Sequence, residues 1–165
     1  MLRKINLFFF ACFALFSASV AQSSDPIQKD LLNYINVELT KVALLETRAV
    51  DTFESVSGKN YKGDSIMYVA LKDVVLPNYS ELYKKLQGIH PATKELKKIH
   101  GEYIKAAKYQ LEAFNLIVDA IKKQDAKEIQ KANKDLKEAI SLVADWKKKL
   151  LDLCDRHNVV LGKGE

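Results

Sequence analysis

Between His90 and His157 the chain carries two long runs with one helical period and almost no link between them. The first, from about residue 91 to 124, spaces Leu96, Ile99, Tyr103, Ala106/Ala107, Gln110, Ala113/Phe114, Ile117 and Ala120/Ile121 by threes and fours. The second, from about 126 to 157, repeats this with Ile129, Ala132, Leu136, Ala139/Ile140, Val143, Trp146, Leu150 and Leu153/Cys154. Such spacing lays one apolar stripe along one side of an α-helix. Lys, Glu and Asp at most other positions supply its wetted side. Pro91 suits a first helical turn, and Asp125 with Glu128 three residues on reads as an N-cap of capping-box type. Each helix is expected to span roughly 30 residues, about 45–50 Å at 1.5 Å per residue. With only Gln124 and Asp125 between them, the two must fold back antiparallel.

Two more stripes precede this hairpin. Asp25-Pro26 reads as an N-cap and helix start, followed by Leu31/Leu32, Ile35, Leu39, Val42, Leu45, Ala49, Phe53 and Val56. After the turn-rich stretch Ser57 to Gly63, Asp64 or Ser65 caps a run with Tyr68, Leu71, Val75, Tyr79, Leu82 and Leu86. Nothing reads as a strand, and residues 158–165 read as an irregular tail. The expectation is an all-α, antiparallel up-down-up-down four-helix bundle, with helices at about 26–56, 64–87, 91–124 and 126–157.

Residues 1–21 read as a leader rather than as part of that bundle. Arg3 and Lys4 precede an apolar run from Ile5 to Phe16, then Ser17-Ala18-Ser19-Val20-Ala21 before Gln22. A positive start, an apolar core and a small-residue site form a secretory signal peptide. The apolar run is short for a membrane span. Removing residues 1–21 leaves 144 residues, enough for one domain, and lowers the side-chain charge from +5 to +3. That balance, with Lys and acidic residues interleaved, argues against a nucleic-acid partner. Cys154 is then the one remaining cysteine, which excludes an internal disulfide.

One layer of the expected bundle looks irregular. Pro77 interrupts the second helix and Gly101 lies inside the third. Folding the chain about the 88–91 turn sets residue 77 opposite residue 102, so the two fall at one level. The same fold-back brings Glu46, Tyr79, His100, Tyr103 and Trp146 within about a turn of it. Two readings compete there. Gly101 permits a close helix approach with the polar groups hydrogen-bonded inside; or the kink opens an aromatic pocket with His100 and Glu46 as anchors for a small ligand. The five residues are the candidate ligand-binding set.

Other chemistries lack their spacing. No Glu-x-x-His pair for a di-metal bundle, no His-Glu-x-x-His and no Cys-x-x-Cys-His occurs. Met67 sits about 18 Å along the axis from His100 at 1.5 Å per residue, too far to share a haem. His90 and His157 fall near one bundle end and could meet a metal with Asp155, although histidines there are more often exposed caps. No catalytic residue, metal or cofactor is assigned.

The strings Tyr61-Lys62-Gly63-Asp64 and Val75-Leu76-Pro77-Asn78-Tyr79-Ser80, followed by the long two-helix C-terminal half, resemble small exported or surface helical-bundle proteins of bacteria without assigned activity. The resemblance covers most of the chain after the leader. It implies an envelope or secreted protein and transfers no site residue. The functional expectation is an exported, non-enzymatic interaction module in the periplasm or at the cell surface. It would engage a protein partner through the Lys-rich exterior of the last two helices, with homo-oligomerisation left open and no stable membrane insertion after leader removal. The alternative is a small-ligand carrier using the Pro77/Gly101 layer.

Overall fold

The structure, a computed structural model, describes residues 17–19 and 25–162. The expected leader lies outside the described residues except for 17–19, as do residues 163–165 of the tail.

The protein is all-α apart from one short ribbon. Its first arm comprises α1 (Pro26–Asn33), a π-helical segment (Tyr34–Glu38) and α2 (Thr40–Val56). A 3₁₀ turn (Gly58–Asn60) leads to a second arm of α3 (Asp64–Ala70), a π segment (Leu71–Val75) and α4 (Leu76–Gln87). Two uninterrupted helices follow, α5 (Lys94–Lys123) and α6 (Ala126–Arg156). A strand was not expected, yet β2 (Val160–Gly162) pairs antiparallel with β1 (Ser17–Ser19), Ala18 facing Leu161. The tail is therefore not wholly irregular. Its Val159-Val160-Leu161 run has the branched apolar side chains that favour extended backbone.

The first arm starts as its sequence requires. Pro26 needs no amide partner in the first turn, and the Asp25 carboxylate accepts the Ile27 amide at 2.9 Å. Each arm then takes up one extra residue. The Leu39 amide donates to the Tyr34 carbonyl at 2.9 Å, and that of Leu76 donates to Leu71. Both bonds reach five residues back, which widens the turn. Pro77 comes directly after the second, in the first turn of α4. The irregularity expected at Pro77 thus takes the form of a π turn just ahead of the proline.

Helix α5 starts at Lys94, three residues beyond Pro91. Thr93 is extended (φ −87°, ψ 152°) and caps nothing with its own side chain. The cap comes from the first arm. Asp30, 7% exposed, accepts the Ala92 amide at 3.0 Å, the Thr93 amide at 2.7 Å and the Thr93 hydroxyl at 2.6 Å. One carboxylate thus satisfies three donors and fixes where α5 meets α1. Hydrogen bonds to a charged group are worth about 1.5–3 kcal/mol. Asp30→Ala is expected to lower stability by about 2 kcal/mol, read from the urea midpoint at unchanged m-value. A loss below about 0.5 kcal/mol, the scale of an ordinary surface change, would show that this cap matters little.

Gln124 reverses the chain between α5 and α6 in the left-handed conformation (φ 54°, ψ 37°). Asp125 then caps α6, its Oδ1 accepting from the amides of Lys127 at 2.8 Å and Glu128 at 3.4 Å. The hairpin is packed along its length because its inner face is studded with small residues. Ala106, Ala107 and Ala113 of α5, and Ala132 and Ala139 of α6, are fully buried. In the rest of the core, α2 packs on α4 and on the second π segment, and α4 packs on α5. Helix α6 packs chiefly on α5, with a minor contact to β2.

Candidate functional site

All five candidate residues lie inside the protein: Glu46, Tyr79, His100, Tyr103 and Trp146 are each at most 3% exposed. Glu46 of α2, Tyr79 of α4 and Tyr103 of α5 are near enough to perturb one another's ionisation. Tyr103 also stacks on Trp146 of α6, with ring centroids 4.1 Å apart and planes 14° from parallel. His100 joins them through Tyr34, whose hydroxyl it bonds and which neighbours the Trp146 indole.

His100 is bonded through both ring nitrogens. Its Nε2 lies 2.9 Å from the Leu86 carbonyl and its Nδ1 2.9 Å from the Tyr34 hydroxyl. A carbonyl can only accept, so Nε2 carries the proton. In the neutral ring Nδ1 is then the acceptor, and the Tyr34 hydroxyl donates to it. Burial lowers the His100 pKa, opposed in part by the Leu86 bond, which keeps the ring neutral at pH 7. Burial raises the Tyr34 phenol, partly opposed by the neighbouring Trp146 indole. Leu86 is in the last turn of α4, where carbonyls lack helical partners. His100 therefore caps α4 and ties it to the start of the first π segment. Neither nitrogen is left for a ligand or metal.

Sequence spacing gave no sign of Tyr34 or Leu86 as its partners. The fold-back arithmetic placed His100 beside Glu46 and Tyr79, whereas long side chains bridge to groups nearer one bundle end. Tyr34 itself sat on the Leu31/Ile35 stripe, where it could have been read as a second buried phenol.

The Glu46 group is of another kind. Its carboxyl is pushed up to about 7 by burial, with the nearby Tyr103 hydroxyl opposing part of the rise. Burial likewise raises both phenols, Tyr79 and Tyr103, and the Glu46 charge adds to it. The Tyr103 hydroxyl stands beside the carboxyl without meeting hydrogen-bond geometry. Glu46 Oε2 and the hydroxyls of Tyr79 and Tyr103 are all buried with no hydrogen-bond partner in the protein. A buried polar group in that state costs about 1–3 kcal/mol.

The glycine expected to shape this layer is not part of it. Gly101 is exposed, and a Cβ added there would meet nothing within 4 Å. It neither brings two helices together nor lines an interior pocket. Pro77 is also exposed. At the same height but on the outside, an open groove of about 340 Å³ runs between α5 and α6. Lys98, Lys149 and Arg156 line it together with Glu95, Glu102 and Asp152. Lys149 Nζ lies 2.7 Å from both Glu102 carboxylate oxygens across it.

The bundle-end histidines do not converge. His157 Nδ1 is 2.6 Å from Asp25 Oδ2, and the His157 carbonyl accepts from Gln28 Nε2 at 2.7 Å. The pair ties the end of α6 to the cap of α1. His90 and Asp155 are exposed. Among the described residues, no three His, Cys, Asp or Glu side chains group as a metal site would need. Cys154 is buried, and its thiol is pushed up to about 11 by that burial. No described helix is long and apolar enough to cross a membrane. No protein-family model, curated protein or solved structure matches the chain.

Proposed function

We propose that the protein is exported after loss of residues 1–21 and acts, without catalysing a reaction, as an interaction module in the periplasm or at the cell surface. In this reading the four helical arms run up-down-up-down, joined by short links. The partner is a protein held on the exterior of α5 and α6. The observation carrying the reading is the contrast between inside and outside. His100 has both nitrogens committed to the fold, whereas among the described residues α6 packs chiefly on α5. That hairpin, residues 94–156, holds fifteen Lys and Arg against eleven Asp and Glu, while residues 25–93 are close to balanced. Its groove sets cations and carboxylates side by side, a pattern that selects a partner by charge register more than by affinity.

Site-specific photo-cross-linking in living cells tests this. A photoreactive side chain at Lys148, beside the groove, is expected to give a discrete protein adduct in the exported fraction. One at Lys84, on the exposed side of α4, is expected to give none. Equal labelling at both positions, or none at either, removes the reading.

A second reading, a small-ligand carrier in the expected layer, draws on the unpartnered buried atoms of Glu46, Tyr79 and Tyr103 rather than on Pro77 and Gly101, which are exposed.

A further inference from the structure

We propose that the groove between α5 and α6 is a self-recognition surface whose partner is a second copy of this chain. This rests on the reading of the α5–α6 exterior as the working surface, and it names what is held there.

Six charged side chains line the groove, three from each helix. Along α5 they are Glu95, Lys98 and Glu102, so the signs run minus, plus, minus. Along α6 they are Lys149, Asp152 and Arg156, which run plus, minus, plus. The helices are antiparallel, and the contact of Lys149 Nζ with Glu102 at 2.7 Å fixes their register. Two helical turns back along α5 and two forward along α6 bring Glu95 level with Arg156. One turn brings Lys98 level with Asp152. Each level therefore holds one cation and one carboxylate on opposite sides of the groove, and the order reverses from level to level. The Glu102–Lys149 level is closed within the chain. Among the described residues, Lys98 with Asp152 and Glu95 with Arg156 close no ion pair, and all four side chains are exposed. Arg156 donates its Nε to the Asp152 carbonyl at 3.2 Å. That leaves the paired terminal nitrogens that grip a carboxylate in fork geometry.

This pattern is complementary to itself. A two-fold axis running along the groove lays the α5 side of one copy over the α6 side of the other at the same level. Glu95 then meets Arg156 of the second copy, Lys98 meets Asp152, and Glu102 meets Lys149, with each contact made twice. A two-fold interface needs such self-complementarity. An axis across the groove would instead set Glu95 on Glu102 and Lys98 on its own counterpart, so the charges select one orientation. Three cations against three carboxylates leave the groove neutral, which gives a partner of a single charge sign little attraction. Ile99, 7% exposed, is the apolar member of the lining. The contact is thus polar, and salt should weaken it. Charges are screened over about 30 Å at about 0.01 M salt and over about 3 Å at about 1 M.

Sedimentation velocity on the intact protein at those two salt concentrations is the test. The wild type is expected to dimerise in low salt and to be monomeric in high salt. Lys98→Glu and Asp152→Lys each set like charges against the second copy, twice per dimer. Each alone is expected to weaken self-association by about tenfold or more. An equimolar mixture of the two variants restores opposite charges at both contacts and is expected to dimerise again. A wild type that stays monomeric in low salt overturns the proposal, and an adduct of Lys148 with a different polypeptide would then leave the interaction reading standing. Single variants that dimerise as the wild type does place the contact on another face and overturn it too. A mixture that stays monomeric does the same. Should either variant misfold by circular dichroism, Glu95→Arg and Arg156→Glu make the same exchange one level along.

Discussion

Trp146→Ala is expected to destabilise the protein by about 3–5 kcal/mol, the range for emptying a large aromatic from a packed core. Trp146 is 1% exposed and heads the largest fully buried side chains. Its position makes it worth more than its area. Helix α6 packs chiefly on α5, and Trp146 stacks on Tyr103 across that seam, ring centroids 4.1 Å apart. The same indole lies by the Tyr34 hydroxyl, which in turn bonds His100. Removing it therefore loosens α6 from α5 and from the first arm together. Urea unfolding provides the measurement. Lys148→Ala, two residues on and exposed, should stay within about 0.5 kcal/mol of wild type. Tyr103→Ala should cost less in the Trp146→Ala background than alone, because the stack is lost once. Strict additivity would mean that the two rings do not support one another.

The second large effect is a dependence of stability on pH. Burial pushes the Glu46 carboxyl in the folded state up to about 7 from its ordinary 4.5. A carboxyl raised in this way binds its proton more tightly folded than unfolded. Below pH 4.5 both states are protonated and the group contributes no difference. As pH rises the unfolded state ionises first, so stability falls, and the loss is complete above the folded pKa. At 1.36 kcal/mol per unit the total is about 3 kcal/mol. The groups facing Glu46 are Tyr79 from α4 and Tyr103 from α5, both phenols and both neutral in this range. His100 acts in the opposite direction. Its lowered pKa means that its neutral form supports the fold above 6.5, with that support lost as pH falls through the lowered value. Comparing wild type with Glu46→Gln from pH 5 to 8 isolates the Glu46 part. The wild type is expected to lose about 2.5 kcal/mol relative to the variant over that span, part of the total being already lost at pH 5. Parallel curves would place the Glu46 carboxyl in contact with solvent.

These two expectations rest on features that the sequence revealed unequally. Helical class was legible, because stripes such as Leu96–Ile99–Tyr103–Ala106 have no other economical reading. The outward aspect of Gly101 was legible too. It lies three or four residues from Lys97, Lys98 and Lys105, on the wetted face, and reading glycine as a close-approach residue overrode that pattern. The π segments left little trace. An extra residue in a helix changes no residue type, and only Pro77 hinted that a turn ahead of it had to widen. Asp30 could not have been seen as the cap of α5, since its partners lie 62 and 63 residues away. His100 was picked as a buried polar group, but its role depends on the end of α4 and on Tyr34, which spacing placed several residues out of level.

The inside and outside of the hairpin make opposite claims on function, and one measurement separates them. It is the yield of the Lys148 cross-linked adduct from cells expressing either Tyr79→Phe or Lys98→Glu/Lys149→Glu. An adduct kept by the interior variant and lost by the groove variant is the expected result. Loss with Tyr79→Phe and retention with Lys98→Glu/Lys149→Glu would place the working surface inside the bundle and contradict the reading.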